Sequence, residues 1–352
     1  MLRIFCYGLL GRRDVGTDVI AKVFQSTVSK ETRKLNLPWL PALLLTIFIF
    51  GGHLASVMSI QNPLHTLFAM MPAPMLIGFA VLVSGFHVRR IISKESLVLN
   101  SGVVFLLLSG SISLMDLGRS GAGAPANGDF KVMTFNVHFG SRKTPDLLNL
   151  IRSENPDVVL LQENFGDQDS PANFLQSNLP GWHLVRFKGA ATLTKYPILS
   201  SEGISLNDQR FHGLLVTVLQ TPKEELKVIN AHWSAPQSAL GWNPIKSASV
   251  VKIHELTTTL RTIKSSDLPT LLAGDLNTPP THHAIRRLSA DLESSFEVKG
   301  VGPGWSFPSG MPMVRIDHIF LSAKLKTTQC RLGPKLGSDH LPLISEIRFV
   351  RD

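Results

Sequence analysis

Three long runs of apolar residues dominate the first third of the chain, at Leu40–Ile60, Leu67–His87 and Leu97–Met115. Each is near the roughly 20 residues that an α-helix needs to cross a hydrocarbon core. A helix on the surface of a soluble protein has a charged face, and none of the three runs has one. Pro72 and Pro74 lie in the second run, where membrane helices tolerate such kinks. The pattern predicts about three transmembrane helices within residues 39–117, against the alternative of a soluble helical domain.

From residue 130 onward, short apolar runs alternate with amphipathic segments. Strands are predicted at FKVMTFNVHF, DVVLLQE, KVINAHW, TLLAGDLN, VRIDHIFLS and LISEIRFV. The segment TPDLLNLIRSENP predicts a helix capped by Thr144, with Pro145 at its first position. A second helix is predicted over SASVVKIHELTTTLRTIK. Its expected apolar face consists of Val250, Ile253, Leu256, Leu260 and Ile263. With strands in the majority, the predicted fold class is α+β or layered α/β.

These patterns divide the 352-residue chain into four parts. A basic segment, residues 1–38, precedes the predicted membrane region at residues 39–117. Residues 118–129 contain SGAGAPANGD, whose small residues are typical of a flexible linker. Residues 130–352 are predicted to form a globular domain that is long enough to bury a core of its own.

Lys and Arg are distributed unevenly around the apolar runs. Seven precede the first run, none lies in the link Gln61–Thr66, and Arg89, Arg90 and Lys94 lie in the second link. Because cytoplasmic loops of membrane proteins are rich in Lys and Arg, the N-terminus and the second link are predicted to be cytoplasmic. Three crossings then place the residues after 117 on the far side of a cell inner membrane, in the periplasm or at the cell exterior.

The formal net charge of +9 at first suggests nucleic acid as a partner. However, residues 1–128 hold 11 Lys and Arg against 5 Asp and Glu, whereas residues 129–352 hold 24 against 21. A surface dedicated to nucleic acid usually carries a larger excess than this C-terminal part does. Most of the excess charge therefore fits membrane orientation, and nucleic acid is not the favoured partner.

Polar residues of metal-ligand or acid–base type recur at the ends of the predicted strands. One such residue alone would be an ordinary cap or turn residue. Strand ends at one edge of a sheet lie close together, however, so six such clusters predict a shared pocket. The clusters contain Asn136, His138, Gln162, Glu163, His232, Asp275, Asn277, Asp317, Asp339 and His340.

The spelling and the order of these clusters resemble the endonuclease/exonuclease/phosphatase superfamily, which has the DNase-I-like fold. The matching segments are TFNVH, LLQE, NAHW, GDLN, RIDHIF and SDHLP, and they span essentially all of residues 130–349. Each motif alone is weak, whereas all six in sequence order are a strong signal. The resemblance implies a four-layer α/β/β/α sandwich of two packed sheets flanked by helices. It also implies cleavage of phosphoesters with a divalent metal ion, Mg²⁺ or Mn²⁺.

The resemblance further implies which residues bind the metal ion and activate water. Glu163 would supply the metal carboxylate, helped by Asn136 and Asp339, since hard oxygen ligands suit magnesium. Asp275 would orient or deprotonate the attacking water.

The remaining family positions would act on the phosphate. His340, paired with Asp317, would face a phosphate oxygen or transfer a proton. Asn277 and His232 would hold the phosphate and stabilise the transition state. For His138, which shares a strand face with the first-motif asparagine, contact with substrate is left open.

The departures from the family pattern concern the substrate. DNA-repair members spell Trp-Asn in the first motif and use a catalytic tyrosine, whereas this chain has TFNVH and only Tyr7 and Tyr196. Phospholipids and small phosphorylated compounds remain open as substrates, and a membrane tether favours lipids. The favoured hypothesis is a membrane-anchored, Mg²⁺-dependent phosphodiesterase or phosphatase. The alternatives are an extracytoplasmic nuclease acting on DNA or RNA and a catalytically inactive binding module, and the oligomeric state is left open.

Overall fold

The computed structural model describes residues 128–139, 144–166, 170–206, 211–235 and 244–350. The basic N-terminal segment, the three predicted membrane spans and most of the predicted linker lie outside these ranges. Among the helices within them, none combines the length and the apolar character that a membrane span requires.

Twelve strands and five helices make up the described part of the chain. In chain order they are β1 (Phe130–Asn136), α1 (Thr144–Glu154), β2 (Val158–Gln162), α2 (Pro171–Asn178), β3 (His183–Phe187), β4 (Ala190–Thr194), β5 (Ile198–Ser205), β6 (Gly213–Gln220), β7 (Glu225–His232), α3 (Pro244–Ile263), β8 (Thr270–Asp275), α4 (His283–Asp291), β9 (Glu293–Ser294), α5 (Ser295–Lys299), β10 (Asp317–Leu321), β11 (Leu325–Leu332) and β12 (Leu343–Phe349).

The strands form two six-stranded sheets. The first has the order β11–β12–β1–β2–β4–β3, and the second has the order β5–β6–β7–β8–β10–β9. Each sheet contains one parallel pair, β1 with β2 and β7 with β8, among otherwise antiparallel neighbours. Both strands of a parallel pair end on the same side of the sheet, so each pair presents two C-terminal strand ends together.

Three clusters of buried apolar side chains hold the layers together. Val132 and Val228 belong to the cluster between the two sheets. Ile151 of α1 belongs to the cluster that packs α1 and α2 on the outer face of the first sheet. Ile285 of α4 belongs to the cluster that packs α3 and α4 on the outer face of the second sheet. The four-layer α/β/β/α sandwich implied by the family resemblance is confirmed.

The expected apolar face of α3 is only partly correct. Ile263 is buried in the core, but Val250 is 66% exposed and Ile253 is also exposed. In the same part of the helix, the protein buries Lys252 and Glu255 instead. The helical period was predicted correctly, but the face that packs on the sheet is rotated towards this polar pair.

The layer between the sheets becomes polar towards the strand ends. Gln162 Nε2 donates to Asn230 Oδ1 over 2.7 Å, which joins the end of β2 to β7 in the opposite sheet. Asn230 Nδ2 in turn donates to the carbonyls of Leu161, at 3.1 Å, and Ala191, at 2.9 Å. Because buried amides are stable only when they are hydrogen-bonded, this network fixes the spacing of the two sheets next to the strand-end residues.

Candidate active site

The strand-end residues predicted from the sequence meet at one end of the two sheets. Asn136 lies in register with Gln162 across β1 and β2, and His232 lies in register with Asp275 across β7 and β8. Asp317 is opposite Asp275 in the antiparallel pairing of β8 with β10. The C-terminal ends of parallel strands are the usual position of ligand sites in α/β sheets, and here two such pairs contribute side chains to one pocket.

Asn136 links a carboxylate of the first sheet to a carboxylate of the second. Its Nδ2 donates to Glu163 Oε1 over 3.1 Å and to Asp275 Oδ2 over 3.0 Å. Its Oδ1 accepts the backbone N–H of His138 at 2.9 Å. The side chain therefore joins the two sheets through Asp275, a residue 139 positions further along the sequence.

Asp275 is buried at the centre of the polar cluster. Its Oδ1 accepts the backbone N–H of Asn277 at 2.8 Å, and its Oδ2 accepts the side-chain amides of Asn136, at 3.0 Å, and Asn277, at 3.2 Å. Two imidazole nitrogens face the same Oδ2, His340 Nε2 at 3.6 Å and His232 Nε2 at 3.9 Å. These contacts fix the carboxylate in one orientation.

His340 lies between two carboxylates. Its Nδ1 donates to Asp317 Oδ2 over 2.8 Å, while its Nε2 faces Asp275 Oδ2. Burial would lower the pKa of the imidazole, but the negative charges of Asp317 and Asp275 outweigh this and raise the pKa to about 10. The ring is therefore protonated at neutral pH, and its Nε2–H is a hydrogen-bond donor inside the pocket.

His232 and Asn277 are both held by backbone carbonyls. His232 Nδ1 lies 3.1 Å from the carbonyl of Phe211, and because a carbonyl can only accept, this nitrogen carries the proton. Its Nε2 faces Glu163 Oε1 at 3.8 Å. Asn277 Nδ2 donates to the carbonyl of Trp233 over 2.9 Å. Both side chains are thus oriented by fixed backbone groups.

His138 lies between two carboxylates at the exposed side of the pocket. Its Nδ1 is 3.2 Å from Asp339 Oδ1 and 3.8 Å from Glu163 Oε2. The neighbouring Ser338 donates from Oγ to the carbonyl of Asn136 over 2.7 Å, which anchors the SDH segment to the end of β1. The structure therefore brings His138 to the carboxylates expected to bind metal.

Several of these residues have a backbone conformation that side chains other than glycine rarely adopt. The φ angles of His138, Glu163 and Asn277 are 44°, 53° and 47°, a conformation that costs about 1–3 kcal/mol per residue and is concentrated at functional sites. Gly274 has a φ of 144°, and a Cβ added there would lie 1.9 Å from the carbonyl oxygen of Ala231. Only glycine allows β8 to approach β7 at this point, just before the central aspartate.

A buried ion pair on α3, which the sequence pattern had not indicated, holds the loops after β7 and β8. Lys252 Nζ lies 3.1 Å from Glu255 Oε2 and donates to the carbonyls of Ser234, at 2.6 Å, and Leu276, at 3.2 Å. Glu255 Oε1 accepts the backbone N–H of Ser234 at 2.7 Å, and Lys252 Nζ faces the Trp233 ring at 5.3 Å. Burial lowers the pKa of Lys252. In the sequence, the only sign of this ion pair was a Lys and a Glu three positions apart, a spacing that is usual on a solvent-exposed helix face.

Among the residues that the structure describes, two groups of side chains are candidates for holding a metal ion. Ligand atoms of Asp275, Asp317 and His340 lie within 4.8 Å of one another. However, His340 Nδ1 is already engaged by Asp317 over 2.8 Å, and both oxygens of Asp275 already accept hydrogen bonds from amide groups. The second group contains Glu163, whose Oε2 is buried without a hydrogen-bond partner, and the more accessible Asp339. A buried carboxylate oxygen that accepts no hydrogen bond is unfavourable unless a ligand completes it, and carboxylate oxygens suit a hard divalent cation. The residues around Glu163 therefore fit a metal ion better.

Comparison with known proteins agrees with the fold. The model of the Endonuclease/Exonuclease/phosphatase family matches residues 133–340, more than half of the chain. No curated protein matches the chain.

Solved structures share the fold at low sequence identity. An endonuclease/exonuclease/phosphatase from Bacteroides vulgatus is 15% identical with a TM-score of 0.53, and the match covers 63% of this chain and 99% of that one. A humanized TDP2 from D. rerio is 17% identical with a TM-score of 0.51, covering 62% and 98%. A mannosyl-6-phosphatase from Bacteroides thetaiotaomicron is 16% identical with a TM-score of 0.50, covering 62% and 100%.

Proposed function

The chain belongs to the endonuclease/exonuclease/phosphatase family, and we propose that it hydrolyses phosphodiester or phosphomonoester bonds by in-line attack of water on phosphorus. The observation that carries this proposal is the position of Asp275. Its Oδ2 lies within 4 Å of the Nε2 atoms of His340 and His232 and accepts a hydrogen bond from the Asn136 amide. A carboxylate and two imidazoles that converge in this way suit proton transfer and charge stabilisation around a phosphate.

Asp275 is the proposed group that orients and deprotonates the attacking water. Its two oxygens are positioned by the backbone N–H and the side-chain amide of Asn277, and by the amide of Asn136. In-line attack needs the water held on one side of phosphorus, and a carboxylate oriented by hydrogen bonds to both of its oxygens can hold it. The proton of the water passes to an oxygen of Asp275.

His340 and His232 are proposed to stabilise the negative charge that develops on the phosphate. His340 donates from Nε2, and Asp317 keeps the ring protonated and oriented through Nδ1. His232 presents its Nε2 to the same space because its Nδ1–H is engaged by the Phe211 carbonyl, and Nε2 is proposed to donate to the phosphate when both ring nitrogens carry a proton. Donors that are already oriented stabilise a transition state without reorganisation. Asn277 fixes the position of Asp275 and completes this set.

Glu163 and Asp339 are proposed to hold a divalent cation, with Asn136 beside them. The cation, when bound, supplies positive charge that neutralises the phosphate oxygens. Mg²⁺ or Mn²⁺ is the proposed ion because the two carboxylates offer hard oxygen donors.

The proposal includes membrane anchoring by the three helices predicted within residues 39–117. It places the catalytic domain on the periplasmic or outer side, on the strength of the Lys and Arg asymmetry in the sequence. Phospholipids and small phosphorylated compounds are the substrates proposed for a domain tethered in this way, and nucleic acid is the less favoured one.

A substrate panel with the purified full-length protein tests the proposed function. It contains bis-p-nitrophenyl phosphate, p-nitrophenyl phosphate, phospholipids, inositol phosphates, DNA and RNA, each with Mg²⁺ and with EDTA. We expect Mg²⁺-dependent hydrolysis of a phosphoester, reduced roughly 10²–10⁴-fold in parallel preparations of Asp275→Asn. Cleavage of DNA or RNA alone would favour the nuclease alternative. Tight binding of a phosphoester without turnover would favour an inactive binding module.

A further inference from the structure

Three phenylalanine rings form an apolar rim beside the pocket, defined here as Phe139, Phe165 and Phe211. The ring centroids of Phe139 and Phe165 are 5.3 Å apart, and those of Phe165 and Phe211 are 4.6 Å apart. The third pair, Phe139 and Phe211, is separated by 6.2 Å. Phe139 is 59% exposed, and Phe211 is exposed as well. The rim therefore forms a contiguous apolar surface that is open to water, and surfaces of this kind are typical of binding sites.

The backbone holds this rim in place at a local energetic cost. Phe139 has a φ of 54°, directly after His138 at 44°, and a bulky residue with positive φ is an outlier. Phe165 packs over Gly189, where an added Cβ would lie 2.7 Å from the ring. Strain of this kind is concentrated at ligand sites, so the backbone holds Phe139 in an exposed position that local sterics disfavour.

The rim is continuous with the proposed catalytic residues. The rings of His138 and Phe139 are 5.3 Å apart, and His138 Nδ1 contacts Asp339 at 3.2 Å. The carbonyl of Phe211 accepts the hydrogen bond that orients His232. A phosphate bound in the pocket would therefore lie next to the rim, on the side where His138 and His232 are found.

We propose that the rim binds an aliphatic group esterified to the phosphate that is cleaved, so that the substrate is an amphiphilic phosphoester. This inference rests on the proposed function, since the phosphate must bind at the adjoining pocket. Phenylalanine has no polar atom with which to fix the edge of a substrate, so the rim selects for apolar area rather than for a hydrogen-bonding pattern.

A nucleobase fits the rim less well than an aliphatic chain does. Base recognition combines stacking on a ring face with hydrogen bonds to the edge of the base. Here the rings of Phe139 and Phe165 stack on each other, with 30° between their planes. The ring of Phe211 is tilted by 87° from that of Phe139 and by 69° from that of Phe165. Faces and edges mixed in this way form an irregular apolar surface, which a flexible chain can cover.

Binding of non-hydrolysable phosphonates tests this inference separately from catalysis. The full-length protein in lipid nanodiscs with Mg²⁺ is titrated by calorimetry with methylphosphonate, butylphosphonate and adenosine 5′-monophosphate. We expect butylphosphonate to bind roughly tenfold more tightly than methylphosphonate, because burying each added methylene is favourable. In Phe139→Ala and Phe211→Ala the ratio of the two dissociation constants should fall towards one. Phe174→Ala, which removes an exposed phenylalanine from α2, should retain it.

Three results would overturn the inference. The first is a ratio near one in the wild-type protein, the second is a ratio unchanged in both rim variants, and the third is no detectable binding of either phosphonate. Preferential binding of the nucleotide that both rim variants weaken would assign the rim to a base instead. Turnover of bis-p-nitrophenyl phosphate, measured on the same preparations, reports on the proposed function, so a rim without selectivity in an active enzyme defeats only the inference.

Discussion

His340 and Asp275 approach each other across two segments 65 positions apart, with Nε2 and Oδ2 separated by 3.6 Å. Asp317 holds the far side of the imidazole at 2.8 Å. A buried imidazole between two carboxylates carries a proton at neutral pH, since the two negative charges offset the effect of burial on its pKa. The pair thus combines a proton acceptor with a proton donor at one position.

Single substitutions in this pair should each reduce kcat by roughly 10²–10⁴-fold, the usual scale for one acid–base group. Asp275→Asn removes the carboxylate that takes the proton from water but keeps the shape of the side chain. His340→Ala removes the donor at Nε2 and leaves Asp317 unpaired. The double variant should lose less than the product of the two single losses, because both groups act on one transition state. A lower melting temperature with normal turnover per folded molecule would instead show that both residues are structural.

Removal of the metal ion should abolish hydrolysis, and Mg²⁺ or Mn²⁺ should restore it after EDTA treatment. Glu163→Gln should have a similar effect because it replaces the carboxylate, whose buried Oε2 accepts no hydrogen bond, with a neutral amide. Glu202→Gln, at an exposed position on β5, is the matched control and should behave as wild type. Calorimetric Mn²⁺ titration of both variants provides a readout independent of turnover. Normal Mn²⁺ affinity in Glu163→Gln would contradict the assignment of this residue.

The Lys252–Glu255 pair should affect the geometry of the site as well as stability. Lys252→Met leaves Glu255 buried and unpaired, and should reduce the free energy of unfolding by about 3–5 kcal/mol. Combining it with Glu255→Gln removes the unpaired charge and should recover much of that stability. The double variant should still have a reduced kcat, because the Ser234 and Leu276 carbonyls have lost their common donor. Full kcat in the stable double variant would limit the pair to a structural role.

His318 should make the protein sensitive to acid. Its Nε2 donates to the Thr278 carbonyl over 2.9 Å, and burial, assisted by the charge of Arg315, lowers its pKa from 6.5 to about 3. The unfolded chain then binds the proton more readily, so stability falls as the pH drops from about 6.5 towards 3. His318→Gln should reduce that slope by up to about 1.4 kcal/mol per pH unit. Urea unfolding in EDTA between pH 4.5 and 7.5 measures the slope, and equal slopes would exclude this contribution.

The proposed membrane topology can be tested with reporters fused after Asp352. A reporter that is active only outside the cytoplasm should give signal, and one that is active only in the cytoplasm should not. The physical reason is the excess of Lys and Arg before the first apolar run and in the second link. The opposite pattern would mean that one run does not cross, and the second run, with Pro72 and Pro74, would be the first to re-examine.

The sequence by itself determined the family and the position of the pocket. Strands are short and their ends are marked by polar residues, so the order of TFNVH, LLQE, NAHW, GDLN, RIDHIF and SDHLP was sufficient to predict a sandwich with Glu163, Asp275 and His340 at one end. Such information is local because each motif lies at the end of a strand or directly beside one. The sheet register then brings these ends together.

Tertiary structure alone decided which other side chains join the pocket. Helical periodicity assigned Val250 and Ile253 to the core of α3, yet Lys252 and Glu255 are buried there. They are buried because the loops after β7 and β8 present backbone groups that need hydrogen-bond partners. The hydropathy pattern of the chain does not depend on those groups and could not predict this. The phenylalanine rim was equally hidden, since its three rings come from separate segments and meet only after the sheets have packed.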